Sequence, residues 1–250
     1  MQSQLESEGL SGRAYGEVVA HASPEARAAF ITRTYLHLFG AIVVFAVLET
    51  ALFFTPLPGL MLNGLASGRA AWLIFMAAFV GVSMLANHWA LNAVSRGKQY
   101  AGLGMYVVME AILFVPLIAY AIVASQGADG GEPAPNLLPK AILITLTLFG
   151  GLTGVVFITR KDFSFMRGVL MFAGFAALGL AVASLIFGFT LGMGFSYAMI
   201  ALACGYILFH TSNVMLHYRT DQYVASALAL FASVMLLFWY VLRIFLDRRR

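Results

Sequence analysis

The sequence predicts an all-α polytopic integral membrane protein, a seven-transmembrane-helix bundle. Three observations carry this reading. Seven stretches of mostly uncharged residues fill the chain from about Thr32 onward, each reaching the roughly 20 residues that a helix needs to cross a hydrocarbon core. Hydrophobic residues make up 61% of the chain and charged ones 10%, against about 25% charged in an ordinary soluble domain. A water-soluble fold of that composition lacks the polar side chains to cover its surface. No segment shows the strict alternation over about ten residues that marks a transmembrane barrel strand.

The spans are expected at approximately Thr34–Phe54, Ala70–Leu91, Gln99–Ser125, Leu138–Thr159, Phe165–Phe187, Met193–Leu216 and Tyr223–Leu246. Pro116 falls inside the third, where it would break a soluble helix but is tolerated in a membrane span. Little of the chain remains for an extramembrane domain, so residues 30–250 read as one seven-helix membrane domain. Residues 1–29 read as a polar, mobile tail. Glu6, Glu8, Glu17 and Glu25 populate the tail, and no apolar core precedes a cleavage site as a signal peptide requires. It could end in a surface helix with Ser23 as N-cap and Pro24 and Glu25 in the first turn.

Lysine and arginine in short connections mark the cytoplasmic side. The second, fourth and sixth connections carry Arg96, Lys98, Arg160, Lys161 and Arg219, whereas the odd ones offer Arg69, with Lys140 at a helix edge. The even connections and the amino terminus are therefore expected in the cytoplasm. Seven full crossings then put Arg243 and Asp247-Arg248-Arg249-Arg250 outside, against the same rule. Either the rule is broken once, or one apolar stretch dips in and returns. The connection Gln126–Pro139, with Pro133, Pro135 and Pro139, reads as a flexible exoplasmic loop. The net charge of +4 is a topology signal, and no nucleic-acid partner is expected. Cys204 is the one cysteine; it suits a buried small apolar role, and no zinc spacing is present.

Helices in lipid associate through close backbone approach and shared polar groups. Gly150 with Gly154, Ala173 with Ala177 and Ala181, and Ala225 with Ala229 and Ser233 read as packing seams. An ionisable group at membrane depth costs about 2.5–3.5 kcal/mol on insertion scales, which makes each one a site candidate. Glu110 lies mid-span, six residues before Pro116, and suits ion or proton handling or a hydrogen bond to a neighbouring helix. Glu49, near Pro56, is a secondary position that can snorkel to the interface. His37 and His88 read as interfacial. His210 opens a polar run with Thr211, Ser212 and Asn213, a cluster expected to face the bundle interior or its mouth. Histidine titrates near physiological pH, so His210 suits a proton-sensitive role.

Several stretches resemble the Bax inhibitor-1 family of seven-span proteins. They are Lys161-Asp162-Phe163-Ser164-Phe165, Gly205-Tyr206-Ile207-Leu208-Phe209 followed by Thr211, and Tyr223 through Arg243-Ile244. The entry Phe30-Ile31-Thr32-Arg33-Thr34-Tyr35 and the Glu110…Pro116 pairing are similar to bacterial members. The resemblance implies a last helix surrounded by the other six and a pH-sensitive calcium leak. It also implies links, in some bacterial relatives, to a membrane-anchored quality-control protease; animal members suppress cell death. The leak is attributed to paired aspartates on the sixth and seventh spans, latched by an arginine on the second. This chain has His210 at the first aspartate position, Ser233 at the second, and no arginine inside the second span. Calcium favours several hard oxygen ligands and imidazole favours transition metals, so the pair His210–Ser233 would carry the opposite charge logic, neutral at high pH and cationic when acidified.

Two functions compete on these residues. One is a pH-sensitive cation leak, for calcium or protons, with His210, Ser233 and Glu110 as its path and Glu49, Thr211 and Asn213 as secondary polar positions. The other is a non-conducting regulator that binds a membrane protein such as a membrane-anchored quality-control protease, with residues 1–29 as its handle. Gly194-Phe195-Ser196-Tyr197 resembles a serine motif of membrane proteases superficially. Activation needs a base within about 3 Å, and His210 lies about 21 Å along the same helix at 1.5 Å per residue. No enzyme activity, cofactor or metal centre is expected. The lipid bilayer is the expected surrounding, and a bacterial inner membrane the expected location.

Overall fold

The computed structural model describes residues 16–66, 68–92, 95–127, 133 and 135–247, with the side chain of residue 92 left aside. Eight α-helices appear among them: α1 (Pro24–Phe53), α2 (Leu57–Ala66), α3 (Arg69–Asn92), α4 (Arg96–Ser125), α5 (Leu137–Thr159), α6 (Arg167–Phe187), α7 (Met193–Leu216) and α8 (Tyr223–Asp247). All except α2 are long and apolar enough to cross a membrane, so the seven expected spans are present. α4 continues through Pro116, as the membrane tolerance of proline allows.

Two differences concern the first span. Among the described residues the helix capped by Ser23 is not a separate surface helix, because α1 runs unbroken from Pro24 for 30 residues. Its start is nonetheless capped as the residues predict: Pro24 is in the first turn, and the Ser23 hydroxyl accepts from the Ala26 N–H at 3.3 Å. Helix α2 was not expected as a separate element; Thr55 and Pro56 break the apolar run after α1. The turn is closed by the Leu57 N–H, which donates to Thr55 Oγ1 at 3.2 Å.

α8 is the axis of the bundle. It packs against α7, α1, α5, α4 and α3, while α6 lies outside on α7 and α3. In its most apolar stretch 72% of the residues are buried, against 6% in α3 and in α6. A helix buried all round cannot be recognised from one apolar stripe, and Tyr223 through Leu228 are buried without interruption. The outer helices turn large apolar side chains outward, including Phe39, Ile74, Met84, Ile158 and Phe172. That pattern suits a hydrocarbon surrounding. Edge and stacking contacts among Phe45, Phe114, Phe231 and Phe238 fill the centre, where aromatic pairs favour tilted or offset geometry.

Close backbone approach occurs at glycines other than the expected pair. A Cβ on Gly150 or Gly154 would meet nothing within 4 Å, so those two glycines do not form a packing seam. At Gly102 an added Cβ would stand 2.7 Å from the Ala86 carbonyl oxygen, and at Gly205 it would stand 2.8 Å from Leu170. These two positions bring α3 to α4 and α6 to α7. Gly188, at φ 77°, ends α6 where the Arg69 guanidinium leaves no room for a side chain. The predicted seam on α8 is buried at Ala225 and Ser233.

The two ends of the bundle are distinct. Val19 N–H donates to the Tyr218 carbonyl at 2.9 Å, Thr220 N–H donates to the Glu17 carbonyl at 2.9 Å, and Arg219 Nε donates to the Gly16 carbonyl at 2.7 Å. The segment 16–22 is thereby fastened to the connection between α7 and α8. At the other end, Arg243 donates to the Leu191 carbonyl at 2.9 Å and lies 3.5 Å from Asp247. α8 is one continuous helix, so the two ends of the described chain lie at opposite ends of the bundle. Residues 1–15, 128–132, 134 and 248–250, which hold most of the tail, the long loop and the terminal arginines, lie outside the described residues.

Candidate functional site

The interior polar residues come from α1, α4, α5, α7 and α8. On α1 the buried residues Thr34, Leu38, Ala41, Phe45 and Glu49 recur at three- and four-residue spacing, which puts them on one face. Glu49 ends that face with 6% exposure, and neither of its carboxyl oxygens has a hydrogen-bond partner among the described residues. It is a buried group, so the interfacial snorkelling expected of it does not occur. On α4, Glu110 is 4% exposed and faces the Tyr106 hydroxyl one turn earlier. The Tyr106 ring in turn meets Phe79 and Phe231 at 6.4 and 6.1 Å.

The Phe45–Phe114 edge contact, 5.3 Å between centroids, fixes the levels of the two carboxyls. Glu49 lies one turn after Phe45 and Glu110 one turn before Phe114. Helical rise places them on either side of this aromatic layer, each about 6 Å along the axis from it. Phe231 of α8 touches Phe45 at 6.2 Å, so the layer lies against the central helix.

The three residues ranked first in the sequence occupy separate surroundings. His210 stacks on Tyr206 at 5.9 Å and 13° and touches the Phe209 ring at 5.1 Å. Its Nδ1 is buried and has no hydrogen-bond partner among the described residues. Tyr206 shares that side of α7 and donates to the Leu170 carbonyl at 2.9 Å, with Gly174 leaving space for its hydroxyl. His210 is therefore on the side of α7 associated with α6. Ser233 donates to the Ala229 carbonyl of its own helix at 2.8 Å. Among the described residues no hydrogen bond joins His210, Ser233 and Glu110 to one another.

Thr211 is fully buried. Its hydroxyl, that of Thr153 on α5 and that of Tyr35 on α1 lie toward one another without closing a hydrogen bond. Asn213 is half-buried, and its carbonyl accepts from His217 and Tyr218 N–H at 2.8 and 3.0 Å. Ser212 joins α7 to the α5–α6 connection by accepting from the Phe163 N–H at 2.9 Å. His217 Nε2 lies 3.0 Å from the Asp162 carboxylate. The Ser164 N–H, at 2.8 Å, and then His217 hold the Asp162 carboxyl below its ordinary range.

A second polar group went unrecognised in the sequence. Tyr223 opens α8, and the Arg33 and Arg96 guanidinium carbons lie 5.8 and 5.2 Å from its ring centroid. Arg96 also donates to the Tyr223 hydroxyl. His37 Nδ1 faces the Arg33 carbonyl at 2.6 Å, which can only accept, so Nδ1 carries the hydrogen. Nε2 is then free to accept from the Tyr100 hydroxyl at 2.9 Å. The Arg33/His37 and Arg96/Tyr100 pairs were visible at i,i+4 spacing, the neighbour distance on a helix. Their meeting at Tyr223 was not.

The fold and its interior groups define a polytopic helical membrane protein with isolated protonatable side chains along a central helix. A profile of the family described as "Inhibitor of apoptosis-promoting Bax1" matches residues 27–250, and the chain belongs to this Bax inhibitor-1 family. It is 31% identical to an uncharacterized protein of Pseudomonas aeruginosa over 67% of this chain and 68% of that one. It is 25% identical to Bax inhibitor 1 of Schizosaccharomyces pombe, over 69% of this chain and 61% of the relative. Protein lifeguard 4 of Mus musculus is 25% identical over 92% and 89%.

Proposed function

We propose that the bundle is a pH-sensitive cation leak, with the proton as the better-fitting cation and calcium as the weaker one. The observation that carries this is the pair of buried carboxyls, Glu49 and Glu110, on either side of the aromatic layer against α8. An ionisable group is costly at membrane depth, and such groups commonly belong to ion paths or proton relays. Calcium takes six to eight oxygen ligands, whereas among the described residues no three His, Cys, Asp or Glu side chains are grouped to hold a metal ion. In this reading Glu110 and Glu49 each take up and release protons on their own side of the aromatic layer, with Ser233 as a polar group on the central helix. His210, Thr211 and Asn213 form a separate proton-responsive stretch of α7. The membrane is a bacterial inner membrane, with residues 16–23 on its cytoplasmic side.

The test is flux from sealed proteoliposomes across a pH series, with Glu49→Gln, Glu110→Gln and His210→Ala beside the unchanged chain. The leak reading expects a pH-dependent flux above empty vesicles that either glutamine variant reduces by tenfold or so, as about 1.4 kcal/mol of lost stabilisation would. Flux at the empty-vesicle level for every protein supports the second reading. In that reading the chain is a non-conducting regulator of another membrane protein, a quality-control protease being one candidate. The fastening of residues 16–22 to the α7–α8 connection supports it, because it holds part of the proposed handle at a fixed place on the bundle. Residues 1–29 are its handle and 30–250 the membrane domain.

A further inference from the structure

We infer that the groove between α1 and α4, at the end of the bundle that carries residues 16–23, binds an anionic phospholipid. Its phosphate sits on Arg33 and Arg96 and one acyl chain lies along the groove. The groove encloses about 370 Å³ and is lined by Leu36, Gly40, Val44, Leu103, Gly104 and Val107, with His37 and Tyr100 at its mouth. Gly40 and Gly104 keep it open, because a Cβ on either would meet nothing within 4 Å.

Charge selects the occupant. Arg33 and Arg96 converge on the Tyr223 ring, and both are exposed at the head of the groove. Among the described residues neither has a carboxylate within salt-bridge distance. Two guanidinium groups gathered around one ring concentrate positive charge there, and a phosphate accepts bidentate hydrogen bonds from arginine. Tyr100, 43% exposed, adds a hydroxyl at the same level. Basic pockets between spans are a known means of holding anionic headgroups. Simple interfacial anchoring accounts for the arginines alone. It leaves unexplained the apolar groove that begins one helical turn further along both helices, at His37 and Tyr100.

This proposal is independent of the leak. The test uses the full chain in detergent with phosphatidylglycerol, phosphatidylcholine of the same chains, or inorganic phosphate. Bound lipid is counted by native mass spectrometry, and the melting temperature is followed. Phosphatidylglycerol is expected to stay bound and raise the melting temperature, while phosphatidylcholine and inorganic phosphate do neither. Arg33→Gln with Arg96→Gln is expected to weaken retention by roughly tenfold or more, as about 1 kcal/mol per basic residue implies. Gly104→Leu is expected to fill the groove and displace the lipid while leaving the lipid-free melting temperature in place. It keeps the test decisive should the arginine variant fold poorly. Equal retention of phosphatidylcholine, wild-type retention by either variant, or equal stabilisation by inorganic phosphate would overturn the assignment.

Discussion

The end of the bundle that carries residues 16–23 and its middle layer treat polar groups in opposite ways. At that end, Asp162, Ser212, His217, Arg219, Arg96, Tyr100 and His37 are each bonded to a partner. Within the spans, from the middle toward the far end, Glu49, Thr145 and Ser196 are buried without one among the described residues, as is His210 Nδ1. Paired groups near water set how helices meet and cost little. An unpaired group in a dry interior costs about 1–3 kcal/mol, so its persistence needs a reason beyond packing. The contrast separates architecture, written at the end of the bundle, from chemistry, carried in the middle.

The largest expected effect falls on the layer that holds the two carboxyls apart. Phe114→Ala removes a ring in contact with Phe45, Phe238 and Trp239, and should cost about 3–5 kcal/mol in unfolding measured in bicelles. A loss below 1 kcal/mol would mean that the layer is not packed as described. Gly102→Val is next. Its side chain would strike the Ala86 backbone, for about 1–3 kcal/mol by overpacking, whereas Gly150→Ala should be neutral. Equal effects at the two glycines would return the seam to Gly150.

At the paired end the effects shrink. Thr34→Val removes the buried 2.8 Å contact with Ser226 and should cost only about 0.6 kcal/mol, the usual worth of a hydrogen bond between spans. Smaller still is the Asp162 contact, because that carboxyl is nearly half-exposed. Its folded-state value is depressed, so the stabilisation is present above the ordinary value of 3.8 and disappears as pH falls through the depressed one. Asp162→Asn should flatten that acid limb by removing this small contribution near neutrality, and leave stability at strongly acid pH almost unchanged. An acid limb identical in the variant would remove Asp162 from this role.

Span positions were legible because hydropathy is a local property. Met193–Leu216 and the start at Tyr223 emerge as the residues predict. Which way a helix faces was far less so, since apolar residues surround most spans and no stripe points inward. For that reason Gly150 and Gly154 looked like a seam, and Glu49 looked interfacial. His210 stood out in the sequence for its depth in the span; it is half-buried with a buried Nδ1, and its stacking on Tyr206 depends on α6 lying alongside α7. Ser233 looked available, and a bond to its own helix, common for serine in membrane spans, occupies its hydroxyl. The Tyr223 cluster required knowing that α1, α4 and α8 begin at the same end.

The central claim is that Glu49 and Glu110 are the interior groups that take up and release protons. Infrared difference spectra of the full chain in lipid, between mildly alkaline and mildly acidic pH, test it most directly. The claim predicts a pH-dependent carboxyl band that loses one part in Glu49→Gln, another in Glu110→Gln, and neither in Asp162→Asn. Spectra unchanged by both glutamine substitutions would contradict it.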